Sequence, residues 1–355
     1  MSKTTDKQGL AILKYVLSVF IIMQHTIPMP CYSQNYFTYG ILHMPQRLSV
    51  PIFFLMSSYF FFFNIKKDPL DANKKFFMSI VRLLKLYVIW SIIHFIVNSY
   101  DWFSVTPFNV GGMKWYITYV VLWAKFGILW FMYSLIIGLI LTYAISKLLP
   151  KQLLIVIAIF LSIFMGMGDA WYGFIIQNNI LADIYNNFYT KLISMRSGLT
   201  YGLLFGIIGY LLAEKDLMSS QIHKITIQQV LLCICSFLMY TAEGFIAFRL
   251  GYPQEYGIYF FSAPTAILIF NIVKNLNLPL IKSAKYFRKS SALIYFIHML
   301  FIFFWDRAFT VIGADNPLYR GILECIFVFV FSSYVSTLIY YLSNFRCFKF
   351  LKSLY

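Results

Sequence analysis

The stretch Lys14-Tyr-Val-Leu-Ser-Val-Phe-Ile-Ile-Met-Gln-His25 is an apolar run with a cation at one end and an imidazole at the other. It belongs to a segment of about 20 apolar residues, long enough to cross a bilayer core. Lys3 and Lys7 precede it, and no small-residue cleavage site follows, so it reads as a retained helix and not a removed signal. Working outward, about ten stretches of this kind fall at 10–29, 48–64, 79–99, 127–146, 151–168, 199–213, 228–248, 258–274, 291–311 and 320–343. The composition agrees: of 355 residues, 60% are hydrophobic and 12% charged, against about 45–50% and about 25% in soluble domains. The expected architecture is an all-α integral membrane protein of about ten transmembrane helices. One polytopic domain spans 1–355, with no separate soluble domain.

The net charge of +16 suggests nucleic acid only if the basic residues cluster on an aqueous face. Ten spans put both termini on one side, and that side carries 21 of the 29 Lys and Arg but 5 of the 13 Asp and Glu. Positive loops stay in the cytoplasm, so both termini are expected there, facing anionic lipid headgroups. The charge is thereby accounted for without nucleic acid.

Cys31, Cys233, Cys235, Cys325 and Cys347 form no CxxC pair and no zinc-type spacing with histidine, so no metal site is expected. P-loop, dinucleotide-binding and GxSxG patterns are absent from the sequence. The run Val50-Pro-Ile-Phe-Phe-Leu-Met-Ser-Ser-Tyr59 has no counterpart after residue 200, which weakens a transporter built from repeats. Trp102, Trp115, Trp171, Asn178, Asn179, Asn186 and Asn187 lie in the long outer segments, either as an interfacial belt or as a sugar-binding surface.

Ionisable groups inside the membrane are costly and mark function. Eleven residues separate Lys14 from His25, which places them about 20° apart around the helix and about 16 Å apart along it. A thiol-bearing cofactor arm with phosphates at one end and a thioester at the other fits that separation. Alternatively, Lys14 snorkels to the interface and His25 caps the helix near Pro28. Arg82 and Lys85, spaced i, i+3, are either a snorkelling pair or a phosphate clamp. Arg47 holds an acceptor or a developing anion, or is an interfacial charge. Glu243 is expected in an ion pair, with Arg249 or across helices; His298 and His94 either pack helices or line a cavity.

The chain resembles the membrane-bound acyltransferase family 3, whose members move acyl groups from coenzyme A to envelope glycans and related acceptors. The resemblance rests on Lys14 followed by ten residues and His25, on Arg47-Leu-Ser-Val-Pro-Ile-Phe-Phe-Leu-Met-Ser-Ser-Tyr-Phe60, and on Arg82-Leu-Leu-Lys85. Leu129-Trp-Phe-Met-Tyr133 and Ile294-Tyr-Phe-Ile-His298 complete it, in the family's order. Two departures stand out: Lys85 replaces the second arginine of Arg-x-x-Arg, and Ser57-Ser58-Tyr59 replaces Ser-Gly-Tyr. The first loses one bidentate fork; the second bears on close helix packing.

The resemblance implies a ten-helix fold, His25 near the acyl-transfer centre, and Lys14, Arg82 and Lys85 binding the donor. Chemistry points the same way, since acyl transfer needs a base for the hydroxyl proton and donors for the oxyanion, and a histidine titrates near working pH. The expectation is an O-acyltransferase using acetyl-CoA or another acyl-CoA, without metal. It acts on a glycan or lipid-linked sugar hydroxyl in the cytoplasmic membrane of a bacterium. Arg47, Glu243 and His298 are candidate acceptor or cavity residues. The competing expectation is a transporter or exporter of a glycan or small metabolite, which would show flux without acyl chemistry.

Overall fold

The structure is a computed structural model describing residues 8–27, 31, 39–105, 111–112, 114, 128–192, 194–219, 225–276, 278, 284–310 and 316–355. Among these residues every regular element is helical, as a bilayer demands, because helices satisfy their own backbone N–H and C=O groups. The long helices are α1 (Gln8–Thr26), α3 (Ser49–Lys66), α4 (Ala72–Val105), α5 (Leu129–Leu148) and α6 (Lys151–Gly168). A π-turn at Tyr39–His43 and the short α2 (Met44–Arg47) lead into α3. Beyond α6 come α7 (Tyr172–Ile175), α8 (Asn179–Leu192), a π-turn at Gly198–Gly202, α9 (Leu203–Met218), α10 (Ile227–Arg249) and α11 (Ser262–Asn275). The chain closes with α12 (Ala284–Ala308), α13 (Pro317–Leu342) and a 3₁₀ segment at Arg346–Leu354.

Among the described residues, eight helices are long and apolar enough to cross a membrane. The expected spans at 199–213 and 258–274 are also helical, but α9 has 16 residues and α11 has 14. At 1.5 Å per residue α11 rises only about 21 Å, short of a core about 30 Å thick, whereas α9 continues directly from the π-turn Gly198–Gly202, a helical run of 21 residues.

The segment Tyr39–Lys66 forms the centre of the bundle, 72% of its span being buried, against 22% for α10 and α13. Its aromatic residues explain this: Phe54 touches Phe131, Tyr201 and Phe205, and Tyr59 lies edge-on to Phe270. Close approach to α9 depends on a glycine. A Cβ at Gly209 would stand 2.5 Å from the Ser58 Cβ and 2.7 Å from the Tyr59 N. The small residue that Ser58 lacks is therefore supplied by the facing helix. Gly209→Ala is expected to destabilise the protein by about 1–3 kcal/mol, with part recovered by adding Ser58→Gly; thermal unfolding in detergent measures both.

Charges pin the two ends of the bundle. At the end bearing Lys14, Lys274 Nζ bonds both Asp216 oxygens at 2.9 and 2.7 Å, and Tyr59 donates to the same carboxylate at 2.5 Å. Lys66 and Lys151 share Glu214 at 3.0 and 3.2 Å. The 3₁₀ segment closes this end, with Trp90 Nε1 donating to the Leu354 carbonyl at 3.1 Å and the Tyr355 hydroxyl 2.8 Å from Ser343 Oγ.

At the opposite end, Asp169 accepts from the Glu255 and Gly257 N–H groups at 2.9 and 3.1 Å. Burial pushes its carboxyl above the ordinary range, against the pull of Arg196. Glu243 is not in the ion pair expected for it. Its carboxylate accepts from the Phe260 and Phe261 N–H groups at 2.8 and 3.0 Å and from Trp171 Nε1 at 3.1 Å. It thus pins the turn that leads into α11 by satisfying two of its backbone donors. Trp171, stacked on Phe260, serves this same anchor and is not an open platform. The Asn178 side chain accepts from the Ile180 and Leu181 N–H groups, and Asn186 accepts from Tyr172. The Trp102 side chain and Trp115 lie outside the described residues.

Candidate functional site

Lys14 lies about two turns into α1 and His25 near its C-terminal end, and α12 passes beside both. The two helices pack along each other. Lys14, half-buried, sets its Nζ 5.5 Å from the Phe60 ring centroid. It lines a cavity of about 350 Å³ together with Arg82 and Arg288. No Asp or Glu is among the described residues lining this cavity. Its apolar wall includes Phe53, Phe60, Phe131 and Tyr295, and Ser57 and Asn64 add polar groups. A cation-rich mouth leading into an aromatic wall suits a ligand with phosphates at one end and a less polar arm at the other.

Arg82 lines the cavity; Lys85 does not. On α4 the lining residues are Ser79, Arg82, Leu83 and Leu86. At about 100° per residue these form one stripe, and Lys85 lies about 110° round from its centre. It is exposed there. Arg288 takes the third cationic position instead.

Tyr295 connects the cavity to the other end of the pair of helices. It lines the cavity, donates to the Ile128 carbonyl at 2.7 Å, and has its ring 6.0 Å from that of His298. His298 in turn lies 5.4 Å, ring to ring, from His25. His298 is fully buried and its Nδ1 is 3.2 Å from the Ile294 carbonyl, while its Nε2 has no hydrogen-bond partner among the described residues. His25 is the exposed member of the pair. An accessible imidazole backed by a buried one can exchange protons with a bound hydroxyl while its ring is held in place.

Two arginines approach the His25 end. Gln24 Nε2 donates to the Gln46 carbonyl at 2.5 Å, tying the residue before His25 to the residue before Arg47. Arg47 Nε donates to His43 Nε2 at 3.2 Å, and His43 is stacked on Tyr39, whose hydroxyl is 2.9 Å from that of Tyr259. The charges of Arg47 and Arg196 both act on His25. Arg196 is braced by Glu255, through Nε to the carboxylate at 3.3 Å and through a terminal nitrogen to the carbonyl at 3.0 Å. Nothing in the local sequence singles it out, because its neighbours come from the loop after α10. His94, with Nε2 3.2 Å from the Phe296 carbonyl, packs α4 against α12.

The structure brings Lys14 and Arg82 to one cavity, and His25, His298 and Arg47 to the other end of the same helices. Glu243 holds the turn before α11 instead. The described residues contain no group of three His, Cys, Asp or Glu that could hold a metal. No curated protein and no solved structure matches the chain. The family model described as an acyltransferase domain matches residues 7–341, nearly the whole chain. With its apolar helices and that match, the chain is a multi-pass membrane protein and belongs to acyltransferase family 3.

Proposed function

We propose that the protein is an O-acyltransferase that moves an acyl group, most simply acetyl, from acyl-CoA to a hydroxyl of a glycan or lipid-linked sugar. In this reading ten helices cross the cytoplasmic membrane of a bacterium, α9 and α11 among them, with both termini in the cytoplasm. The donor enters from the basic end, its phosphates on Lys14 and Arg82 and its arm along Tyr295. The acceptor approaches from the opposite end, beside Arg47. His25 takes the hydroxyl proton as the oxygen attacks the thioester carbonyl. The tetrahedral oxyanion then collapses, the C–S bond breaks, and the leaving thiolate recovers the proton from the imidazolium.

One observation carries the reading. An acid-free, cation-lined cavity among the described residues shares the wall residue Tyr295 with the contact that leads to His298 and His25. Coenzyme A binding to the detergent-purified protein tests it. Saturable binding is expected for the wild type, with at least about tenfold weaker binding when Lys14 and Arg82 are both replaced by Gln, as two charge-assisted contacts are lost. A folded wild type that binds no coenzyme A overturns the donor assignment.

A further inference from the structure

We propose that Arg288 is a donor-binding residue, the third cation that grips the phosphate end of the acyl donor. The inference rests on the donor reading above and adds a residue that the Arg82-x-x-Lys85 pattern does not indicate.

Position supplies the first argument. Arg288, Ser291, Ala292, Tyr295 and Phe296 all line the cavity. Their spacings of three, one, three and one make a single stripe along α12 at about 100° per residue. Arg288 is thus at the mouth of the same helix face that carries Tyr295 toward the histidines. Its neighbour Lys289 points elsewhere, with Nζ 5.3 and 4.8 Å from the ring centroids of Tyr340 and Tyr355.

Chemistry supplies the second. Lys14, Arg82 and Arg288 converge from three different helices on one cavity, whereas like charges in a partly dry setting repel. A ligand bearing two or more phosphate groups offsets that repulsion. Two guanidinium forks and one ammonium match adjacent phosphates better than any single contact does. The arrangement also explains how the chain tolerates lysine at position 85: the second fork is supplied from α12.

The repeat of a pattern is the third argument. α1 carries a cation and, eleven residues on, an imidazole; α12 carries Arg288 and, ten residues on, His298. The cations share the cavity and the imidazole rings lie 5.4 Å apart, tilted against each other. Each end of the donor path is therefore built by both helices.

The test is coenzyme A affinity of the intact protein in detergent, comparing wild type, Arg288→Gln, Arg288→Lys and Lys289→Gln, each with its unfolding temperature. Arg288→Gln is expected to weaken binding at least about tenfold and Arg288→Lys about threefold to tenfold, since the lysine keeps the charge but loses the fork. Lys289→Gln is expected to bind as wild type does. Wild-type affinity in Arg288→Gln overturns the role of Arg288 while the donor reading stands. No binding by the wild type overturns both. Should Arg288→Gln not fold, Arg288→Lys decides the matter, because unchanged affinity there contradicts a phosphate contact through the fork. Equal weakening in Lys289→Gln would show a diffuse charge effect and overturn the assignment to Arg288.

Discussion

Replacing His25 with alanine is expected to lower acyl transfer by about 10²–10⁴-fold, the usual contribution of a positioned general base. Coenzyme A affinity should stay within about threefold of wild type, because Lys14, one of the cations that would hold phosphate, lies about 16 Å away along α1. The split between the two measurements carries the argument. Loss of both would mean that the imidazole supports the fold of α1 and not the chemistry, and near-normal transfer would remove His25 from its assigned role. The contact with His298 sharpens the expectation: His298 is buried, so substrate meets His25 first. Reconstituted vesicles supplied with radiolabelled acetyl-CoA and extracted envelope glycans give the readout.

Glu243→Ala is expected to cause the largest loss of stability. It removes an acceptor from two backbone N–H groups and one indole N–H. A buried donor left without a partner costs about 1–3 kcal/mol, so three such losses amount to a large share of the roughly 5–15 kcal/mol that holds a typical domain together. Glu243→Gln keeps one acceptor oxygen and should recover part of the loss. Thermal unfolding in detergent distinguishes the two variants. If Glu243→Ala unfolds within a degree or two of wild type, the anchor before α11 contributes little.

Much of this organisation is legible in the sequence, and the exceptions have physical causes. Apolar run length locates the helices because a bilayer imposes a length and forbids unpaired backbone. The expected 228–248 and 151–168 correspond to Ile227–Arg249 and Lys151–Gly168. Helical period alone places Lys14 and His25 on one face. Glu243 was harder to read, since its partners are backbone amides and a tryptophan from segments distant in sequence, and backbone donors leave no sequence signature. Arg288 lines the cavity and Lys85 does not for a related reason. Which face of a helix meets a cavity is decided by its neighbours, so a cation one turn along can point to lipid headgroups. Gly209 shows the same at close range: the need for a small residue belongs to the contact with Ser58, not to either position.

The pairing of His25 with His298 also has a consequence during synthesis. The two rings are about 270 residues apart in the chain, and ribosomes add roughly 5–20 residues per second, so about 14–55 s pass between their emergence. During that interval α1 is in place with one cation and one imidazole, but the other half of each pair has not been made. A chain interrupted before residue 284 lacks both Arg288 and His298. Prematurely terminated products are therefore expected to neither hold the donor nor waste it by hydrolysis, and competence arrives only with the last few helices.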